Sequence, residues 1–173
     1  MMNYLWAGQC NYQLGHFDEA LTHYDLAAKF AASKKEKTAP DETIESDILF
    51  NRGMNYCSLE GNHNLYKAIE DFEGALLKQV ERENSVKHKT LFNLGIVYRK
   101  LGVQTVLHDI PERLQLLAKA EKNGILKESI VKLREAERNA TAITKAATLN
   151  NLGLSLFDLA DYYEAETCFK NAR

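Results

Sequence analysis

Three asparagines, Asn51, Asn93 and Asn151, each stand two residues before a glycine, at Gly53, Gly95 and Gly153. A side-chain amide donates and accepts hydrogen bonds at once, so a row of them can hold the amide groups of an extended peptide whatever its side chains are. Apolar residues accompany them at helical spacing: Phe50 and Met54, Phe92 and Ile96, Leu154 and Phe157. Methionine repacks around varied shapes and aromatic rings bury large areas, which suits a surface that grips greasy side chains. Arg99 and Lys100 add a small positive spot. These residue types offer recognition of another chain.

Chemistry of other kinds has little to work with. The sequence has no Gly-rich phosphate loop ending in Lys-Ser/Thr, no H-E-x-x-H and no G-x-S-x-G, the patterns that place a phosphate, a zinc ion or a serine nucleophile. Its five histidines are scattered, and His16 and His23 fall in a turn and in a helix. The three cysteines, Cys10, Cys57 and Cys168, are odd in number and far apart, which fits neither a disulfide framework nor a zinc set. Cys10 and Cys168 are expected to be buried thiols between helices. No catalytic residue, no metal and no cofactor is therefore expected.

Charge and hydropathy narrow the partners further. Lys plus Arg (22) nearly balances Asp plus Glu (24), so no basic field exists to hold nucleic acid. No apolar run approaches the roughly 20 residues that cross a bilayer, and no signal pattern opens the chain, so a cytoplasmic protein without membrane contact is expected.

The glycines belong to a larger pattern that must position these side chains. Tyr4, Ala7, Gly8 and Asn11 share one helical face, and the pattern returns as Leu49, Arg52, Gly53 and Tyr56, as Leu91, Leu94, Gly95 and Tyr98, and as Leu149, Leu152, Gly153 and Leu156. Each is followed by a second helix with its own spacing: Ala20, Tyr24 and Ala27; Ala68, Phe72 and Ala75; Ser129, Leu133 and Ala136; Ala165, Phe169 and Ala172. Gly8 and Ala20 are small where two helices must approach closely. The residues opposite the packing stripe, among them Leu5, Trp6, Gln9 and Tyr12 in the first helix, are expected to face outward.

On these residues the chain resembles the tetratricopeptide repeat family, whose pattern runs W-x2-L-G-x2-Y, then A-x3-F, then P. The resemblance implies an all-α fold: a right-handed α-solenoid of four helix-turn-helix repeats, about 1–37, 44–82, 86–140 and 143–173, with an extra helix inserted in the third at about 103–125. It also implies a scaffold or adaptor that binds a protein or peptide partner in a concave groove lined by first helices. The groove residues would be Asn51, Asn93, Asn151, Phe50, Met54, Phe92, Ile96, Arg99 and Leu154. The Lys, Arg and Asn clamp with which some members hold a terminal carboxylate is incomplete: Leu5, Gln9 and Asn93 occupy three of its positions, and only Asn51 and Lys89 match.

Departures from the pattern locate a second candidate surface. Pro40 is expected to stop or redirect the long second helix, with Asp41, Thr43 and Ser46 as caps for the next one. Gly53 to Ala68 is three residues longer than Gly8 to Ala20, which suggests an insertion at the turn. The third unit carries 22 extra residues. Within them Asp109 to Glu112 reads as a helix start and Asn123-Gly124 as a stop, and Leu107, Ile110, Leu114 and Leu117 form an apolar stripe. That helix either covers the repeat's own flank or serves as a partner-binding arm; a second parse makes residues 111–122 the unit's second helix. At the end, Tyr163 and Phe169 are expected on an uncapped face, which predicts self-association or a longer chain. A structural role in a larger complex, through that face or the inserted helix, is the alternative to a groove-binding one.

Overall fold

The computed structural model describes residues 1–34, 36, 38–79, 84–104 and 112–173, with residues 84, 85 and 112–118 described as backbone. Among them the chain is all-helical: α1 (Met2–Gln13), α2 (Phe17–Ala32), α3 (Ala39–Ser58), α4 (Asn62–Leu77), α5 (Asn84–Gln104), α6 (Glu112–Arg138), α7 (Ala142–Asp158) and α8 (Tyr162–Asn171). It divides into two compact units, Met1–Arg82 and Glu83–Arg173. In the first, α1 packs on α2, α2 on α3 and α3 on α4; in the second, α5 packs on α6, α6 on α7 and α7 on α8.

Each antiparallel pair closes on its glycine. A Cβ built on Gly8 would lie 2.5 Å from Tyr24, on Gly53 2.9 Å from Phe72, on Gly95 2.5 Å from Leu133 and on Gly153 2.6 Å from Phe169. These approaches are closer than a methyl group permits, so the large residue of each second helix rests on bare backbone. Gly8 and Ala20 were expected to be small for a close approach of the helices; Ala20 is fully buried, and the Tyr24 ring is what lies on Gly8. Tyr24 and Phe72 are completely buried, each burial contributing about 1.5–3 kcal/mol. Desolvation pushes the Tyr24 phenol up to about 12, and its hydroxyl has no hydrogen-bond partner among the described residues.

The insertions are built differently from the sequence expectation. The turns Leu14–His16 and Leu59–Gly61 are the same length, with Gly15 at φ 79° and Gly61 at φ 96°, so the three extra residues of the second pair form an added turn at the start of α4. The expected extra helix of the third pair does not exist as a separate element. α6 runs unbroken for 27 residues through Asn123 and Gly124, and Gly102 meets Leu126 as Gly95 meets Leu133. Both intervals are seven residues, two helical turns, so α5 and α6 lengthen together. Packing of Leu126, Ile130 and Leu133 outweighs the roughly 1 kcal/mol that a glycine costs in a helix interior. Leu107 and Ile110 lie outside the described residues, and Leu114 and Leu117 are described only as backbone of α6.

α3 also begins earlier than expected. Its N-cap is Thr38, which makes a capping box with Asp41, and Pro40 sits inside the first turn, where its missing N–H is no loss. Asp41 accepts from Lys34 Nζ at 2.6 Å and from the Thr38 hydroxyl and amide, and these bonds pull its carboxyl down to about 2. It is therefore a partner in the cap and not the cap itself.

Candidate functional site

In the first unit α1 and α3 run side by side in the same direction, as the Tyr12 hydroxyl at 3.4 Å from Ser58 Oγ indicates. The outward faces of the two helices leave a cleft of about 820 Å³. Trp6, Gln9 and Tyr12 line it from α1, and Phe50, Asn51 and Met54 from α3, six of the residues whose register predicted an outward-facing surface. Cys10, Gln13 and Leu14 complete the wall. The sequence reading missed these three, although Gln13 is seven residues from Trp6, two turns along the same stripe. Among the described residues no charged side chain lines the cleft.

The side chains in it divide by environment. Trp6 is 57% exposed and Leu14 69%, so both present apolar surface to solvent. Phe50 is half-buried with its ring 5.8 Å from Phe72 and lines the cleft. Leu5, expected outside, is buried in the core. The reason is geometric: it is three residues before Gly8, and positions three apart share a helix face. Cys10, expected between helices, is exposed.

All three asparagines bond to their own helices. Asn51 Nδ2 donates to Asp47 O at 2.6 Å, Asn93 to Lys89 O at 2.8 Å and Asn151 to Ala147 O at 3.0 Å. Asn11 and Asn139 make the same bond away from these positions, so the contact is a local habit of asparagine in helices. It uses one amide hydrogen and leaves each Oδ1 and the second hydrogen without a hydrogen bond among the described residues. Asn51 belongs to the first unit, and Asn93 and Asn151 to the second.

In the second unit most of the predicted groove residues are half-buried or paired. Phe92 stacks on His88 with ring centres 5.8 Å apart and packs against the cluster of Ile130, Leu133 and Leu152. Ile96 and Leu154 are half-buried. Arg99 is not a free cation: its Nε donates to Asp158 at 2.6 Å. Phe157 is exposed and meets the edge of Tyr162, and Tyr163 stands almost fully in solvent while Phe169 is half-buried over Gly153.

Polar pairs hold these helices in place. Arg52 donates Nε and Nη2 to Asp71 at 2.8 and 2.7 Å and Nη1 to Asp25 at 2.9 Å, tying α3 to α4 and α2. Burial pushes the Asp71 carboxyl upward, and pairing with Asp71 raises the Arg52 guanidinium further above its already high value. In the second unit Ser129 donates to Gly95 O at 2.7 Å and lies 2.9 Å from Ser155 Oγ. His88 Nε2 is hydrogen-bonded to Thr148 Oγ1 at 2.9 Å, and Thr148 Oγ1 also lies 3.0 Å from Thr144 O. Nothing in the local sequence marks these pairs, whose members are 19 to 60 residues apart. No group of His, Cys, Asp or Glu among the described residues could hold a metal ion, and no described helix is long and apolar enough to cross a membrane.

No protein-family model matches the chain, and no curated protein matches it.

Proposed function

We propose that this chain is a tetratricopeptide-type helical-repeat scaffold that holds a peptide or helical segment of a partner protein in the cytoplasm, without catalytic activity of its own. The observation that carries this reading is the cleft between α1 and α3, where aromatic and thioether surface and three side-chain amides converge with no charge among them. Such a lining suits a ligand with a regular amide backbone and a few apolar anchors. The four glycine contacts support the repeat architecture, because the same short approach recurs in every pair. On this reading the second unit carries a recognition surface of its own, made by Asn93, Asn151, Phe92, Ile96, Leu154 and Arg99, with Arg99 acting through its pair with Asp158.

The test compares capture of partners by the unaltered chain, by a Trp6→Ala/Met54→Ser variant and by an Asn51→Ala/Asn93→Ala/Asn151→Ala variant, each checked for helical content. Loss of the same partner from both variants supports the groove. Retention by both, with loss when Leu114 and Leu117 become Ser, moves recognition to α6. The exposed aromatic group of Phe157, Tyr162 and Tyr163 favours, as a second reading, an assembly element that uses the α7–α8 end. That reading predicts a partner lost on Tyr163→Ser with the cleft intact.

A further inference from the structure

The cleft lacks charge, but its surroundings do not. Residues 1–28, which form α1 and most of α2, contain no Lys or Arg, and residues 46–66 contain a single Arg, Arg52. That guanidinium is committed to Asp71 and Asp25. At one end of the cleft Tyr12 touches the Phe17 ring, 5.7 Å between centres, and meets Ser58. The segments leaving this end carry Asp18 and Glu19 after Phe17, and Glu60 after Ser58. All three carboxylates are exposed, and none has an ion-pair partner among the described residues. Across residues 1–82 eight Lys and Arg face thirteen Asp and Glu. The first unit thus sets an uncharged, aromatic trough whose Tyr12 end leads into turns followed or formed by exposed carboxylates.

We infer that the occupant of this cleft is a stretch of a partner protein with uncharged apolar anchors flanked by Lys or Arg, and this inference rests on the groove reading above. The anchors desolvate against Trp6, Met54 and Phe50, where a charged side chain would lose water and find no counter-ion. The flanking cations stay outside the Tyr12 end, where Asp18, Glu19 and Glu60 attract them through solvent and speed encounter. An acidic segment is repelled by the same carboxylates. Selectivity is therefore set by charge at that end and affinity by apolar contact within.

Trp6 makes the test direct, because it is the chain's one tryptophan and lines the cleft. Two synthetic peptides with capped ends serve as probes, Lys-Lys-Ala-Phe-Ala-Ala-Leu-Ala-Lys-Lys and its counterpart with Glu in place of each Lys. The full chain is titrated with each while Trp6 emission and the anisotropy of a dye on the peptide are followed. The lysine peptide is expected to shift Trp6 emission to shorter wavelength and to bind about tenfold or more tightly than the glutamate peptide at low salt, a gap that narrows as salt screens the carboxylates. An Asp18→Asn/Glu19→Gln/Glu60→Gln variant should lose most of that preference and keep the emission shift, and Met54→Ser should weaken both peptides. Equal binding of the two peptides with a Trp6 shift overturns the charge rule and leaves the groove reading standing. No shift with either peptide overturns both. A shift that grows with protein concentration alone assigns the cleft to a second copy of the chain and overturns the inference.

Discussion

Beside the glycine the two units use different polar chemistry, although ion pairs such as Arg99 with Asp158 and neutral bonds such as Gln79 with Ser46 occur in both. In both, a large side chain lies on a bare glycine and neighbouring helices pack antiparallel. The residue before the glycine differs: Ala7 and Arg52 in the first unit, Leu94 and Leu152 in the second, both leucines buried. Where Arg52 stands, Asp71 and Asp25 stand around it, and Lys78 bonds Glu45 at 2.7 Å and Lys34 bonds Asp41 one turn or more away. Where the leucines stand, neutral pairs bridge the helices, Ser129 with Gly95 O and Ser155, and His88 with Thr148. The comparison teaches that the glycine contact sets how close two helices come, while the polar joints between pairs are free to be ionic or neutral.

Several substitutions break or sharpen this contrast. The largest effect is expected at the ionic joint. Arg52→Ala leaves Asp71, only 5% exposed, without its cation, which should cost about 3–5 kcal/mol. Converting the joint to the neutral type, Arg52→Leu with Asp71→Leu, should recover most of that loss. Urea unfolding of the two variants decides it, and equal destabilisation by both would show that the arginine supplies more than charge balance.

The next effect is common to the units. Gly8→Ala and Gly95→Ala place a methyl 2.5 Å from Tyr24 and Leu133 and should each cost about 1–3 kcal/mol by overpacking. Gly124→Ala is the control, since a Cβ there meets nothing within 4 Å; it should stabilise α6 by about 0.5–1 kcal/mol. Melting curves that rank the three otherwise would refute the close-approach account. Tyr24→Phe removes a buried hydroxyl that has no hydrogen-bond partner among the described residues and copies Phe72 and Phe169, so it should raise stability by about 1 kcal/mol.

Acid should separate the units by degree. Burial, and then the charge of Lys89, lowers the proton affinity of His88 below the ordinary 6.5. The unfolded chain takes up that proton first, so the stability that neutral His88 supplies is complete above about pH 6.5 and is lost as pH falls below it. Asp41 in the first unit is depressed from 3.8 to about 2, so its contribution is complete above pH 3.8 and is lost only as pH falls toward 2. Residue-resolved hydrogen exchange between pH 6.5 and 3.8 should therefore show α5 and α7 loosening before the start of α3. His88→Gln should flatten the response of the second unit alone.

The glycine pattern was legible because it is local in sequence and identical in cause at each occurrence. Spacing placed Ala20, Tyr24 and Ala27, and their counterparts through Ala136, on buried faces, and it placed Trp6, Gln9, Tyr12, Phe50, Asn51 and Met54 on one cleft. Leu5 was misplaced because a helix buries a broad stripe and not a single line of residues. Asn123-Gly124 misled because the preference of that dipeptide for a stop is worth about 1 kcal/mol, less than the packing of two further helical turns against α5.

What the sequence determined alone was the series of helix pairs and most of the face of each that must be covered, since periodicity and small residues act within a few turns. Only the tertiary structure decided which ring lies on Gly8, that Arg52 finds two aspartates, and that Cys10 is exposed while Leu5 is buried. Those outcomes depend on distances between residues far apart along the chain, and such distances exist only once the helices have packed.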